Sequence, residues 1–457
     1  MTAISGYALQ AGLFGLAFAA TRAVGDWSGA LQSRSMQFLL IGTAGALLLG
    51  ITGLLLARRV AGVDQKRQFQ LPLVASIVTG VLCFLSIEIG VRLIATADPL
   101  GTRIGSTVLL PYDWPAMVEA NQAMLARSRQ PDAFYIPDSE LGWAVGPSRR
   151  SKDGLYLSSP EGLRSAVQGG QQEIGLPAER VALYGNSFAF SEEVAFQDSL
   201  APKLERELAP GARVLNFGVP GFGVDQAVLR FRQTAGKWSP RVAILTFIED
   251  DLYRVANVYA FLKVDWGLPV SKPRFVLEGD ELHLKNVPTL SGDDLFGHPS
   301  IFDLPLLDHD IEFQAQRWRH HPLHASYVIR LLNGLFPTWP PKSDLVSDET
   351  IAAVSARVIQ EFESAAIDAR VVPVIAYFPT SGDYSPGGRR DLKRRVLANL
   401  SVMGVPVADL TQCIADNVPQ AELFVPGGHY TGPGNAGVAA CLAPLVRAAN
   451  QAEPGSP

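Results

Sequence analysis

The 457-residue sequence has few of the residues that build metal and redox centres. It contains three cysteines and seven histidines. They form no Cys-x-x-Cys pair and no Cys/His cluster with the spacing of metal ligands, so we expect no metal site. A nucleotide-binding glycine loop and internal repeats are also missing from the sequence. We therefore expect a protein that works without a cofactor.

Charged residues are scarce and unevenly distributed. They make up 18% of the sequence, against 47% apolar residues, and soluble domains have roughly 25%. The high apolar share excludes intrinsic disorder. Residues 1–100 hold seven Lys/Arg and four Asp/Glu, which gives a net charge of +3. The remaining residues hold 32 Lys/Arg and 40 Asp/Glu, which gives a net charge of −8. This pattern predicts a membrane protein, and it argues against nucleic acid as a partner because the acidic body repels phosphates.

Three apolar stretches near the N-terminus are each long enough to cross a bilayer as a helix, which takes about 20 residues. We expect transmembrane helices at about 4–21, 36–57 and 71–96. The first contains Gln10, and a cleaved signal peptide is the alternative, although the basic start of such peptides is missing. The third carries Glu88 and Arg92, which can pair across one helical turn; a role in transport is the alternative.

The basic residues between these stretches predict the orientation in the membrane. The loop 58–70 holds four Lys/Arg and one Asp. The loop 22–34 holds two Arg and one Asp. The more basic loop is expected in the cytoplasm, which places residues 98–457 outside it. We expect a multi-pass protein of a bacterial inner membrane with its C-terminal body in the periplasm. Cys413 and Cys441 lie in that body, where a disulfide can form; two separate buried thiols are the alternative.

Short β-rich runs alternate with helical patterns from residue 181 onward. Strands are expected at 181–184, 213–217, 242–248, 371–378 and 406–409, and helices at about 194–208, 224–237, 350–369, 388–403 and 434–449. The strands are apolar with little alternation, as in strands covered on both faces. The pattern predicts an α/β domain with a parallel sheet between helices. Sites in such domains lie at the carboxyl ends of strands.

The predicted organisation has four parts. A transmembrane region, 1–97, is followed by a connector with some β structure, 98–180, then by the α/β domain, 181–449, and a disordered tail, 450–457. The α/β domain is interrupted by an insertion at about 252–345, which contains a hairpin-like run with Gly279-Asp280 near its turn. An insertion of this size over strand ends is a natural lid.

Short motifs that contain potential catalytic residues follow the predicted strands. They are Gly185-Asn186-Ser187, Gly218-Val219-Pro220-Gly221, Glu249-Asp250-Asp251 and, near the C-terminus, Gly428-His429. A serine just after a sharp turn, with backbone amides nearby, suits a nucleophile, and it could equally cap a helix. A histidine at a loop-to-helix junction suits a general base, and a surface histidine is the alternative.

Taken together, these motifs resemble those of the SGNH (GDSL-like) hydrolase superfamily over about residues 132–449. The resemblance implies a flavodoxin-like three-layer α/β/α domain with Ser187 as nucleophile, His429 as general base and Gly221 as an oxyanion donor. Longer strings are similar to a bacterial membrane-anchored subgroup related to carbohydrate O-acetylation: 216–226, 428–435, Gly162-Leu163-Arg164 and Lys272-Pro273-Arg274-Phe275. They imply a serine esterase or O-acyltransferase acting on an acylated carbohydrate or cell-envelope glycan, with a membrane acyltransferase as a possible partner.

Two positions depart from the family pattern. Asp250 takes the oxyanion position of an Asn, and an ionised carboxylate cannot donate a hydrogen bond. Pro426 stands three residues before His429, where the acid that orients the general base is expected, and Gly427 follows it. Asp251 and Glu422 are the candidates to replace that acid. The alternative functions are a catalytically degenerate protein that binds a glycan or protein partner without turnover, and a membrane scaffold with an unrelated task.

Overall fold

The computed structural model describes residues 2–22, 40–41, 43–48, 51–52, 55, 65–170, 180–208, 210–263, 269–337, 343–388 and 390–452. The chain divides into two compact units. The first contains Met1–Asn121 and Phe313–Lys342, and the second contains Gln122–Glu312 and Ser343–Pro457. Half of the second expected transmembrane helix, 36–57, and most of the expected tail, 450–457, lie outside the described residues.

A five-stranded parallel sheet forms the centre of the second unit. In chain order its strands are β1 (Arg180–Tyr184), β2 (Arg213–Asn216), β3 (Val242–Phe247), β4 (Val372–Tyr377) and β5 (Ala408–Asp409). They lie side by side in the order β5-β4-β3-β1-β2, and every pair is parallel. This order is that of flavodoxin-like sheets, so the expected parallel α/β architecture is confirmed.

Helices cover both faces of this sheet. They are α1 (Leu200–Glu207), α2 (Val224–Trp238), α3 (Asp348–Asp368), α4 (Asp391–Met403) and α5 (Gly432–Gln451). One buried cluster joins α2, α3 and α4 to strand residues such as Tyr184 and Leu245. Another joins α1 and α5 to their neighbours Leu183 and Ile244. Successive strand residues therefore point into opposite cores, which explains the apolar runs without alternation.

Short helices fill the connections of the second unit. They are Ser187–Phe190, Glu249–Arg254, Gly292–Phe296, Ser381–Tyr384, Thr411–Asn417 and Gln420–Leu423. Helix Thr411–Asn417 is joined to α5 by a disulfide between Cys413 and Cys441. Of the two alternatives for these cysteines, the structure has the bridge.

The segment expected as a connector contributes to the second unit as well as to the first. Helix Trp114–Ser128 precedes two antiparallel pairs, Tyr135–Asp138 with Gly142–Val145 and Leu157–Ser158 with Arg164–Ser165. The side chains of Phe134, Trp143 and Tyr156 share a buried cluster with Phe190 and Phe222. Since Phe190 follows β1 and Phe222 follows β2, residues 134–156 pack against the carboxyl edge of the sheet.

The expected insertion, 252–345, is divided between the two units. Its hairpin is present, with Arg274–Glu278 antiparallel to Glu281–Lys285. Lys272, just before the hairpin, forms a buried ion pair with Asp225 at the start of α2, with 2.6 Å between Nζ and Oδ2. The Lys272 ammonium also donates to the carbonyl oxygen of Pro273. This pair ties the insertion to the sheet domain.

The first unit contains two long helices, Thr2–Arg22 and Gln65–Ile94, with a small antiparallel sheet and helix Tyr327–Leu335. The strands of this sheet are Thr96–Asp98, Gly101–Ile104 and Thr107–Val108. Glu88 and Arg92 pair as expected, with 2.7 Å between their charged atoms. The Glu88 carboxylate also accepts the amides of Tyr327 and Val328. The carboxylate thereby accepts hydrogen bonds from two backbone amides at the N-terminus of helix Tyr327–Leu335, and this end of a helix favours negative charge.

Three transmembrane helices are not supported by the described residues. One stretch, Ile77–Ile94, is long and apolar enough to cross a membrane, with a mean hydropathy of 2.1. In the first helix the apolar stretch is shorter, Tyr7–Leu16. Gln10 lies within that stretch, and half of the segment that would form the second span falls outside the described ranges.

The buried ion pair gives a prediction about stability. Asp225→Asn leaves the Lys272 ammonium buried without a counter-charge, so the free energy of unfolding should fall by about 3 kcal/mol or more. Urea unfolding of the full chain in detergent, followed by circular dichroism, measures this change. Arg394→Ala, which breaks an exposed pair with Asp391, is the matched control and should change stability by about 0.5 kcal/mol or less. Equal effects of the two substitutions would contradict the prediction.

Candidate active site

Ser187 is the first residue of the short helix that follows β1. The helix is capped by Asn186, whose Oδ1 accepts the amide of Phe188 at 2.8 Å. Because Asn186 fills the capping role, the Ser187 hydroxyl is available for another partner. Of the two interpretations of this serine, the helix-cap interpretation is therefore wrong.

His429 lies in a tight turn just before α5. The turn is closed by hydrogen bonds from the Val425 amide to the His429 carbonyl oxygen, 2.8 Å, and from the Gly428 amide to the Val425 carbonyl oxygen, 2.9 Å. The imidazole packs against the ring of Phe188, with 5.0 Å between centroids. Its Nε2 lies 2.8 Å from the Ser187 Oγ. The structure thus brings together the expected nucleophile and general base.

The carboxylate beside His429 is Glu193. Its Oε2 lies 2.5 Å from the His429 Nδ1 and also accepts the His429 amide at 3.3 Å. An ionised carboxylate only accepts hydrogen bonds, so Nδ1 carries the proton and Nε2 is free to accept from the serine. Ser187, His429 and Glu193 form a continuous hydrogen-bonded chain with the geometry of a Ser-His-acid triad.

The two acids expected to orient His429 have other roles. Asp251 is fully buried, and it accepts Asn186 Nδ2 on both carboxylate oxygens at 2.8 Å and the Ile248 amide at 3.0 Å. Burial raises the pKa of Asp251 to about 6, and the charge of Arg254 opposes that rise. Glu422 is exposed, and its carbonyl oxygen accepts from Thr431. These contacts correct the expectation that Asp251 or Glu422 orients the base.

Contact with Asp251 also explains why an amide suits position 186. The Asn186 amide nitrogen donates to both oxygens of the Asp251 carboxylate. An Asp at position 186 would place two buried carboxylates in contact, which is costly unless one is protonated. The amide instead gives Asp251 a donor and still caps the helix of Ser187.

Gly427 makes room for Glu193. A Cβ at position 427 would lie 1.8 Å from Oε1 and 2.5 Å from Oε2 of Glu193. Any larger side chain at this position therefore excludes the Glu193 carboxylate from its observed place. The residue next to Pro426 therefore leaves the space into which an acid from another loop reaches.

A second carboxylate lies close to the base. Glu192 Oε2 is 3.6 Å from His429 Nε2. Burial raises the pKa of Glu192, and the nearby His429 opposes that rise. The imidazole is consequently placed between two acids, and the positive charge it acquires on taking a proton is stabilised from both sides.

The backbone amides expected to hold the oxyanion are those of Ser187 and Gly221. Gly221 has a φ of +78°, a conformation that favours glycine. Its loop is held by Trp143, whose indole Nε1 donates to the Pro220 carbonyl oxygen at 3.1 Å. Among the described residues neither the Gly221 amide nor the Ser187 amide has a hydrogen-bond partner. Both donors are available to a developing oxyanion.

Asp250, the third expected member of the oxyanion site, is exposed and lines the cleft beside Ser187. The cleft has a volume of about 400 Å³, and most of its lining is polar or backbone: Ser187, Phe188, Ile248, Glu249, Asp250, Tyr253, Arg254, Thr380, Ser381, Gly382, Gly427, Gly428 and His429. Among the described residues, no group of three or more His, Cys, Asp and Glu is arranged to hold a metal ion.

Sequence reasoning missed Glu193 because the search for an acid was limited to the usual positions. Glu193 belongs to the loop that leaves the Ser187 helix, and its φ of +68° turns it back toward His429. Adjacent carboxylates at 192 and 193 just after the nucleophile, together with glycine at 427, were the available signals. Neither signal specifies a contact between residues so far apart in the chain.

Comparisons with known proteins add little to this geometry. No family model and no curated protein matches the sequence. Among solved structures, the chain is similar to a lipolytic protein assigned to the G-D-S-L family from Desulfitobacterium hafniense DCB-2. The two are 14% identical with a TM-score of 0.30, over 58% of this chain and 98% of the other. At that TM-score the likeness supports no argument. The description of the site depends on the contacts within this chain.

Proposed function

We propose that this chain is a serine ester hydrolase or O-acyltransferase of the SGNH type. The observation that carries the proposal is the hydrogen-bonded chain from Glu193 through His429 to Ser187. This arrangement activates a serine hydroxyl for attack on a carbonyl carbon. The order of the motifs along the chain and the five-stranded parallel sheet support the superfamily assignment.

The reaction proceeds through a serine ester. His429 Nε2 takes the proton of Ser187 Oγ as that oxygen attacks the ester carbonyl, and the amides of Ser187 and Gly221 stabilise the oxyanion. His429 returns the proton to the departing alcohol. A water molecule or a sugar hydroxyl then gives its proton to His429 and attacks the serine ester. His429 passes this proton to the departing Ser187 Oγ, which releases an acid or a newly acylated sugar and restores the free serine. Glu193 keeps the proton on Nδ1 and stabilises the imidazolium.

The proposed substrate is an acylated carbohydrate or cell-envelope glycan. The cleft beside Ser187 is lined by the exposed residues Asp250 and Ser381, whose carboxylate and hydroxyl suit the hydroxyl groups of a sugar. Among its lining residues, Phe188, Ile248 and Tyr253 are the large apolar ones. This polar lining favours a glycan over a long acyl chain.

The proposed location is the periplasmic side of a bacterial inner membrane, with helix Gln65–Ile94 as an anchor. The apolar stretch Ile77–Ile94 supports the anchor. The Cys413–Cys441 disulfide supports an oxidising compartment. A membrane acyltransferase that supplies acyl groups is a proposed partner, since transfer to a sugar needs an acyl donor.

A degenerate, glycan-binding protein is the second candidate, and Asp250 is the observation that favours it. Its carboxylate replaces a neutral donor next to the oxyanion, and the loss of one donor raises the barrier by roughly 3–4 kcal/mol. The intact triad favours turnover. A protein that only binds a ligand does not require a hydrogen-bonded chain of hydroxyl, imidazole and carboxylate.

The serine mechanism predicts the effect of Ser187→Ala. Hydrolysis of an aryl acetate by the full chain in detergent should fall to background, and a fluorophosphonate probe should label the wild type and not the variant. The control is Ser355→Ala, a buried serine in α3, which should leave the rate unchanged. Equal rates in the wild type and Ser187→Ala would rule out the serine mechanism, and a wild type without turnover or labelling would support the degenerate candidate.

The acid assignment predicts the effect of Glu193→Gln. The amide cannot hold the Nδ1 proton as a carboxylate does, so kcat should fall on the order of 10³-fold with little change in KM. The matched control is Glu422→Gln, an exposed position that should keep the wild-type kcat. The assignment fails if the folded Glu193→Gln protein turns over at the wild-type rate.

The space at position 427 predicts the effect of Gly427→Ala. The new methyl group collides with the Glu193 carboxylate, so kcat should fall by about 100-fold or more through loss of its orientation. The control is Gly236→Ala in α2, where a Cβ meets no atom within 4 Å. This control should keep full activity and gain slight stability. Full activity in Gly427→Ala would show that Glu193 is dispensable.

A further inference from the structure

The loop that carries Glu193 has an unusual backbone. Ser191 and Glu193 have φ values of +62° and +68°. Non-glycine residues adopt this left-handed conformation only where the surroundings hold them in it. The Ser191 hydroxyl contributes by accepting the Leu200 amide at 2.9 Å. Further contacts come from the segment that precedes β1.

Arg164 holds the carbonyl oxygens of this loop. Its guanidinium donates to the carbonyl oxygens of Phe190, Ser191 and Val194. The side chain is 2% exposed, and no carboxylate lies within 4.0 Å of it in the described part of the chain. The guanidinium also lies over the Phe190 ring, 4.7 Å from its centroid. The buried Arg164 guanidinium therefore donates its hydrogen bonds to backbone carbonyl oxygens on both sides of Glu193.

Tyr156 holds the amide of Glu193 itself. Its hydroxyl oxygen accepts the Glu193 N–H at 2.7 Å. The Tyr156 ring packs against Phe190 with 5.2 Å between centroids and lies beneath the Arg164 guanidinium at 5.1 Å. Tyr156 and Arg164 form one contact surface with the loop, which we call the loop clamp.

We propose that Tyr156 and Arg164 are positioning residues that act on catalysis through Glu193. The inference rests on the proposed function of the triad. When the clamp is lost, Ser191 and Glu193 can leave the left-handed conformation, and the Glu193 carboxylate moves away from His429. Tyr156 and Arg164 are not among the residues that line the cleft beside Ser187, and their contacts with the loop act on the position of the acid.

A double-mutant cycle with an aryl acetate tests this route. Tyr156→Phe removes the hydroxyl and keeps the ring; it should lower kcat about tenfold with KM unchanged. In a Glu193→Gln background the same change should have no further effect, because residues that act as a unit are not additive. Tyr259→Phe is the matched control, since its hydroxyl donates to the Pro305 carbonyl oxygen. It should have no effect on kcat in either background.

Proton NMR of the full chain in detergent tests the clamp independently of turnover. The Nδ1 proton shared between His429 and Glu193 should give a low-field resonance that disappears in Glu193→Gln. It should weaken or disappear in Tyr156→Phe and Arg164→Lys, and persist in Tyr259→Phe. Arg164→Lys keeps the charge and loses the geometry that reaches three carbonyl oxygens.

The outcomes separate the two proposals. Loss of the resonance in Tyr156→Phe, together with a vanishing effect on kcat in the Glu193→Gln background, supports the clamp. A retained resonance in a folded Tyr156→Phe protein, or an equal loss of kcat in both backgrounds, overturns it. Turnover that is indifferent to Ser187→Ala overturns the proposed function, and the resonance then still decides whether the clamp places Glu193.

Discussion

The hydrogen bond between the Glu193 carboxylate and the His429 imidazole is the interaction on which the site depends. It selects the tautomer in which Nε2 faces Ser187, 2.8 Å away, and it requires three separate features of the fold. Gly427 leaves the space for the carboxylate. The loop after the Ser187 helix turns back through left-handed residues. The segment that carries Tyr156 and Arg164 holds that loop in place.

The two departures from the family pattern have different consequences. The missing acid is replaced in space, because a carboxylate from the nucleophile's own loop occupies the volume that Gly427 leaves open. Asp250 has no such replacement, and the oxyanion depends on the amides of Ser187 and Gly221. The pairing of Asn186 with Asp251 shows a third adjustment, in which an amide avoids contact between two buried carboxylates. In the proposed mechanism the serine–histidine–acid arrangement is therefore kept with a changed set of side chains.

Regular patterns in the sequence predicted the regular parts of the fold. The expected strand at 242–248 is Val242–Phe247, and the expected helix at 224–237 is Val224–Trp238, because buried strands and one-sided helices have strong periodicity. The connector was harder to interpret. Phe134, Trp143 and Tyr156 follow no period, yet they pack together against the strand ends. Hydropathy indicated three membrane spans, and one of them is supported within the described residues.

Local chemistry and chain order determined which residues could act: a serine after a turn, a histidine before a helix and glycines where backbone must approach closely. These features depend on neighbours in sequence, so the sequence by itself was enough to identify Ser187, His429 and Gly221 as candidates. Only the tertiary structure decided which acid completes the triad. Glu193 and His429 are 236 positions apart, and their contact depends on a backbone turn, a missing side chain and a clamp from a third segment. No local pattern encodes such a combination of distant contacts.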